Sequence, residues 1–407
     1  IDAPEALFQR APEQRRPMIE KLGGTKASED AVERGLAWLS RVQEPDGRWS
    51  YVAENAGTRK KGQKTAPREH DTALTGLSVL AFLAADHSPA KEGPYRAQVA
   101  AAVDWLVAQQ SPDGDLRGAR NLRGDSAANA NMYDHGIATM AVAEAALMTG
   151  DQRYADAALR AAEFICRSQN PRTGGWRYAP GQTGDTSVFG WQVMALHNAE
   201  LLGFQTPPEV RQRAVKFLAS VTTGRARVLA GYTPGEAPTG AMTAEALFCR
   251  ILLGQPIEPD AASEVSEFIA QEVGKNARGG GAADGGRPDL YFWYYASLSL
   301  SQMQANPRVR ETWDRLNARS RDAMIAAQHT GGDLDGSWTD SRWGPKGGGR
   351  VFSTALATLT LEVYYRYLPL KPADQAAAAA AWQQQQAADA PKKPKLRGPV
   401  GPKLEAN

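Results

Sequence analysis

Residues 31–49 read Ala31-Val32…Leu36…Trp38-Leu39…Gln43, followed by Pro45-Asp46-Gly47-Arg48-Trp49. Apolar side chains recur at helical spacing up to a glutamine, and a Pro/Asp/Gly turn then delivers a tryptophan. The pattern returns as Val99…Val103…Trp105-Leu106…Gln110 with Pro112-Asp113-Gly114-Asp115-Leu116. It returns again as Leu159…Phe164-Ile165…Gln169 with Gly174-Gly175-Trp176, and far downstream as Ala323-Met324…Gln328 with Gly336-Ser337-Trp338. A unit repeated at this scale is the organising feature of the chain.

Each amphipathic segment is followed by a more apolar one. Asp71-Thr72-Ala73-Leu74 opens the first, to about Ala85; Asp134-His135-Gly136-Ile137 opens the second, to about Thr149; Asp185-Thr186-Ser187-Val188 opens the third, to Leu202. Two degenerate pairs follow, Pro208 to Ser220 with Met242 to Leu253, and Pro259 to Val273 with Asp289 to Met303. The last pair is Glu311 to Gln328 and Phe352 to Tyr367. A helix polar on one side belongs to an outer ring, and one apolar nearly all round belongs inside. Six such hairpins can stack as an open solenoid or close on themselves. Closure is favoured because the inner helices have no long polar face to show to water. The expected fold is all-α, an α6/α6 toroid over residues 25–370. Residues 1–24 are expected to form an arm over it. Residues 371–407, with Ala376 to Ala381, Gln383 to Gln386 and Pro391-Lys392-Lys393-Pro394-Lys395, form a low-complexity basic tail.

Composition narrows the function classes. Of 407 residues 42 % are hydrophobic, enough for a large core. Lys plus Arg number 47 against 45 for Asp plus Glu, a net charge of +2 that offers no basic footprint for nucleic acid. Two cysteines make no disulfide framework, and no CxxC or Cys/His zinc spacing occurs. The longest charge-free apolar run, Thr72 to Ala85, is shorter than the ~20 residues of a membrane span. The chain begins at Ile1 rather than Met. The expectation drawn from this is an upstream leader or anchor and a bacterial envelope or periplasmic location.

The pattern Gln43-x3-Gly47-x-Trp49 resembles the QW motif of the terpenoid cyclase and protein prenyltransferase toroid superfamily. Leu116 replaces the tryptophan in the second copy, the third is one residue longer and the fourth carries an insertion. Gly174-Gly175-Trp176-Arg177-Tyr178, Asp185-Thr186-Ser187, Asp289-Leu290-Tyr291-Phe292-Trp293-Tyr294-Tyr295 and Leu361-Glu362-Val363-Tyr364-Tyr365-Arg366-Tyr367-Leu368-Pro369 are further similar to the bacterial prenyltransferase and squalene oxidase repeat proteins of planctomycete type. The resemblance implies a toroid over about residues 28–370. In it the glutamine is expected to cap the outer helix and the tryptophan to pack on the neighbouring hairpin. Departures limit what it implies about activity. No Asp-Asp pair exists, so both the D-x-D-D acid motif and the D-D-x-x-D magnesium motif are absent. Cys166 and Cys249 stand in no D-x-C context, which argues against prenyltransferase zinc chemistry.

Four of the six inner helices begin with aspartate: Asp71, Asp134, Asp185 and Asp289. Aspartate is a preferred N-cap and suits the positive end of the helix dipole. The sharper reading is that these carboxylates converge at a cavity mouth, where crowding raises a pKa and makes a general acid. Asp134 and Asp71 lead because they adjoin His135 and His70. The same four residues have the chemistry of a Zn or Fe site, against a plainer reading as hydrogen-bonded structural histidines; no metal or cofactor is assigned. Tyr133, Trp191, Tyr291, Trp293 and Phe352 are expected to line the cavity, where aromatic faces suit carbocations or apolar ligands. Two glycine-rich loops, Gly279 to Gly286 and Gly344 to Arg350, match no phosphate-binding pattern. Arg278, Arg287, Lys346 and Arg350 are the cations there that could meet an anion.

Three functions follow. The favoured one is a cavity that binds an apolar polyprenyl or triterpenoid ligand, with acid catalysis by a non-standard acid as an extension. The second is a non-catalytic envelope scaffold that meets protein partners through its tail. The third is a polysaccharide lyase or hydrolase on an α/α barrel.

Overall fold

A computed structural model describes residues 10–52, 68–118, 130–276, 289–339 and 348–367, with isolated positions toward both ends. Statements of absence below refer to these residues. The basic tail, the loop 279–286 and Arg278, Arg287 and Lys346 lie outside them.

Six outer helices are the amphipathic ones: α2 (Lys26–Val42), α4 (Arg96–Ala108), α6 (Gln152–Ser168), α8 (Pro208–Ser220), α10 (Pro259–Asn276) and α12 (Pro307–Ala327). Six inner helices follow them in turn: α3 (Asp71–Ala84), α5 (Met132–Thr149), α7 (Thr186–Leu201), α9 (Gly240–Leu252), α11 (Leu290–Gln302) and α13 (Gly349–Leu361). Each inner helix packs on the next, and α13 returns to pack on α3. On the outside α12 returns to α2. The toroid is therefore closed. In α2 burial falls on the stripe Ser28, Ala31, Val32, Gly35, Leu36, Trp38 and Leu39, one face of a helix. Every residue of α3 and of α11 is buried, as expected for helices apolar all round. The last inner segment breaks after Leu361 and resumes as a short helix α14, Val363–Arg366. One two-stranded hairpin, β1 (Thr222–Thr223) with β2 (Leu229–Ala230), stands between α8 and α9; no sequence signal anticipated it.

The repeated Gln and Gly make the same bonds in all four copies, and the Trp does so in the three copies that have one. Gln43 donates from Nε2 to Gly47 O in its own turn at 2.8 Å and to Gln98 O in the next outer helix at 2.9 Å. Gln110 does this with Gly114 and Ala157, and Gln169 with Gly174 and Val210. Gln328 does it with Gly336 and Ala31, which joins the last unit to the first. Trp49 donates from Nε1 to Leu39 O, Trp176 to Ile165 O and Trp338 to Met324 O, at 2.7–2.8 Å. Those carbonyls stand among the last four of their helices, which have no intrahelical donor. Gln43, Gln169 and Gln328 stand at the C-cap position of their outer helices. The glutamine side chain ties the turn to the next hairpin, while the tryptophan bonds the end of its own outer helix and, as expected, its ring can pack on the next hairpin, Trp338 lying against Gly35. The glycine is required twice over. Gly174 has φ +78°, and a Cβ there would sit 2.0 Å from Arg213 O.

All six inner helices start at the same end of the ring, so their positive dipole ends converge there. The other end is plugged by the arm. Helix α1 (Pro12–Leu22) packs on α14. Arg10, 2 % exposed, reaches Glu144 Oε1 at 2.7 Å and Leu83 O at 3.2 Å. Arg366 meets the other Glu144 oxygen at 3.5 Å.

Candidate functional site

A cavity of about 720 Å³ opens where the inner helices begin. Leu74 and Leu77 of α3, Ile137 of α5, Trp191 of α7, Met242 of α9, Phe292 of α11 and Phe352 of α13 form its apolar wall. Most of the polar groups stand at the first turns of the inner helices, His70, Asn131, Tyr133, Asp134, Ser187, Asp289 and Tyr291, and Glu272 joins them from the far end of the outer helix α10. Tyr178 and Tyr232 complete the rim, joined through their hydroxyls at 2.7 Å.

The four aspartates all serve their helices. Asp185 and Asp289 are N-caps, accepting from Val188 N at 2.8 Å and Phe292 N at 3.0 Å. Asp134 closes a capping box with Asn131, accepting from Asn131 N at 2.8 Å. Asp71 accepts from Arg68 N at 2.9 Å and from Arg48 Nε at 3.0 Å. Only Asp134 and Asp289 of the four line the cavity. Asp71 is turned away to Arg48 with 2 % of its surface exposed, and Asp185 is sealed beneath the rim at 0 %. Both are withdrawn from the acid role on that ground. Burial pushes the Asp71 carboxyl up, against the pull of Ser50, Arg68 and Arg48. Burial likewise pushes Asp185 up to about 6, against the Val188 amide and Arg177.

The two histidines part company. His70 lines the cavity with Nδ1 3.2 Å from both oxygens of Asp134. Burial pulls its pKa down, but the hydrogen bond and charge of Asp134 outweigh that and leave it raised. His135 is fully buried behind the wall: Nδ1 accepts from Leu116 N at 2.9 Å and Nε2 faces Ala161 O at 3.1 Å. Both ring nitrogens are thus engaged within the fold, and Asp115 Oδ1 lies 3.6 Å from Nδ1. His135 is structural, and the proposed pairing with His70 around a metal does not form. Among the described residues no three His, Cys, Asp or Glu side chains are placed to hold a metal ion.

Of the aromatic candidates, Tyr133, Trp191, Tyr291 and Phe352 do meet at the cavity. Trp293 does not; α11 turns it outward, 4 % exposed, among core residues. Arg350 is also buried off the cavity, donating to Ser337 Oγ at 3.2 Å and, from its amide, to Val52 O at 2.7 Å. Trp191 stacks on Tyr294 at 5.9 Å and 12°. Sequence reasoning missed Glu272 and Tyr232, which carry no local signal, and Glu245. Glu245 had one: it is the lone carboxylate in the apolar segment Met242 to Leu253. It lies behind Tyr291, with both oxygens 3.2 Å from Tyr291 Oη.

A closed double ring of six helical hairpins with a cavity at the inner N-termini defines an α/α toroid protein, the architecture shared by terpenoid cyclases and several carbohydrate-active enzymes. Solved structures similar to it come from both groups. A type II terpene cyclase, MstE from Scytonema, in complex with merosterolic acid A, is 14 % identical with TM-score 0.50, covering 86 % of this chain and 99 % of its own. Cellobiose 2-epimerase from Spirochaeta thermophila is 15 % identical with TM-score 0.55, covering 89 % and 99 %. An α-1,6-mannanase from Salegentibacter is 13 % identical with TM-score 0.54, covering 83 % and 98 %. At such identities the likeness is one of fold. No family model matches the sequence, nor does any curated protein.

Proposed function

We propose that the toroid binds an apolar isoprenoid-type ligand in its cavity. The observation that carries this reading is the wall itself. Leu74, Leu77, Ile137, Trp191, Phe292 and Phe352 line a space of about 720 Å³, and the polar groups gather at its mouth, most of them on the first turns of the inner helices. Small-molecule sites occupy roughly 300–1,000 Å³ and are mostly apolar with a few placed polar groups. A scaffold without a ligand has no use for so large an apolar hollow.

Any proton transfer to the ligand falls to Asp134 with His70. This is the acid–base pair on the lining, and His70 is raised toward its charged form beside the Asp134 carboxylate. In type II cyclases of the resembled superfamily an aspartate of D-x-D-D supplies that proton; this chain has no such motif.

The test is a titration of the purified full chain with the diterpene hydrocarbon phytene, read by tryptophan fluorescence and native mass spectrometry. Binding in the micromolar range is expected. Ala241→Trp, which puts an indole into the lining, should weaken it about tenfold or more while the melting temperature holds. Failure to bind phytene, with saturable binding of α-1,6-manno-oligosaccharides instead, would move the function to the carbohydrate class.

A further inference from the structure

The second residue of each of three inner helices brings a hydroxyl to the cavity wall: Tyr133 in α5, Ser187 in α7 and Tyr291 in α11. They are linked. Ser187 Oγ lies 2.5 Å from Tyr291 Oη, and Tyr133 is hydrogen-bonded to Ser187. On its far side Tyr291 Oη meets both oxygens of Glu245 at 3.2 Å, and Tyr295 is hydrogen-bonded to the same carboxyl. Glu245 is 0 % exposed and reaches the cavity only through Tyr291. It fits against α7 because residue 190 is glycine; a Cβ there would stand 2.0 Å from Glu245 Oε1.

Burial pushes the Glu245 carboxyl well above the usual carboxylate range. The charged group acting on it is Asp185, which is acidic and pushes the same way; Tyr295 and Tyr291 oppose. A neutral carboxyl has one proton to give, and both Tyr291 and Tyr295 are bonded to this one; the chain runs outward when Tyr291 takes it. With Glu245 donating to Tyr291, the Tyr291 hydroxyl is free to donate to Ser187 and Ser187 to Tyr133. The Tyr133 proton is then left for the cavity. An ionised Glu245 would draw the tyrosine protons toward itself, and the cavity end would present only acceptors.

We propose that Glu245, Tyr291, Ser187 and Tyr133 form a ligand-recognition site that presents a hydrogen-bond donor to an oxygen atom on the ligand, so that the cavity selects an oxygen-bearing isoprenoid over the hydrocarbon of the same skeleton. The proposal rests on the apolar-cavity reading above and names the chemical class within it. Glu245 acts as a positioning residue, and Tyr133, Ser187 and Tyr291 as the contact groups.

Phytol and phytene share one skeleton and differ by a hydroxyl, and both are titrated against the full chain. The wild type is expected to prefer phytol by about three- to tenfold, the worth of one hydrogen bond inside an apolar site. Tyr133→Phe, which removes the hydroxyl that ends the chain at the cavity, should bring the ratio of phytol to phytene affinity close to one, both affinities being read in the same variant so that any general loss of binding cancels. Glu245→Gln should keep the preference, because the carboxamide still donates to Tyr291. In the infrared spectrum at neutral pH the wild type should show the carbonyl band of a protonated carboxylic acid that Glu245→Gln lacks. Equal affinity of the wild type for the two ligands, or absence of that band, overturns the proposal while leaving the cavity reading intact. Binding of neither ligand overturns both.

Discussion

Asp185 shows how one side chain couples the rim to stability. Its Oδ1 caps α7 through Val188 N, and its Oδ2 is 3.7 Å from Arg177 Nε. Because burial holds its folded pKa at about 6, above the usual carboxylate value, the folded state binds more protons than the unfolded one. Its contribution is therefore fully present in acid below the unfolded pKa and is lost as pH rises to about 6. Asp185→Asn keeps the cap and removes the titration. Denaturant melts of the variant should show a stability gain over the wild type of about 1–3 kcal/mol at pH 8 that vanishes near pH 4. An equal gain at both pH values would mean that the carboxyl does not titrate in this window. Glu245, by contrast, is recognisable in the sequence as the lone carboxylate of an apolar helix, yet its partners come from α7 and α11 and no spacing rule points to them.

The hairpin unit is held by three positions with separate tasks. In the third copy Trp176 satisfies the Ile165 carbonyl, Gln169 spans from Gly174 to Val210, and Gly174 lets the turn lie against Arg213. Trp176→Phe keeps the ring and loses one buried donor, so a cost of about 1–2 kcal/mol is expected in denaturant melts. Gly174→Ala must move backbone and leave the left-handed region, and should cost more, about 2–4 kcal/mol. A smaller loss for Gly174→Ala than for Trp176→Phe would show that the turn can shift away from α8. The helices themselves were legible within a few residues: Pro208 to Ser220 is α8 as expected, and α12 starts four positions before Glu311, at Pro307, where Asn306 caps it. That cap is an ordinary N-terminal signal overshadowed by the apolar pattern that begins later.

Closure sets the behaviour of the whole molecule. Gln328 bonds to Ala31, Arg34 pairs with Asp335 at 2.8 Å and α13 packs on α3, so no unit is terminal. An open solenoid frays from its ends, whereas a ring must break two interfaces to release any hairpin. Equilibrium unfolding should accordingly be one cooperative transition, and native-state hydrogen exchange of α3 and α13 should match that of α7; protection that falls toward the chain ends would contradict closure. At the plugged end, Arg10→Ala leaves Glu144 with Arg366 as its remaining charged partner and Asn198 Nδ2 at 3.5 Å. Truncating one partner of a buried pair costs about 3–5 kcal/mol at full burial, and the second arginine should hold this loss near the lower end.

The sequence by itself determined the repeat, the order of amphipathic and apolar helices, and hence a closed two-layer ring, because period and polarity are local and survive without neighbours. It also brought Asp134, His70, Tyr133, Trp191, Tyr291 and Phe352 forward as candidates, since first-turn residues of inner helices share one end of the ring. Only the tertiary structure decided which of those side chains reach the hollow. Asp71 and Asp134 open consecutive inner helices in similar words, yet one is turned to Arg48 and the other to His70. His135 is fixed by Leu116 and Ala161, and Trp293 is taken up by the core. Rotation of a helix about its own axis is set by packing against neighbours distant in the chain, and a pattern apolar all round carries no information about which face looks inward.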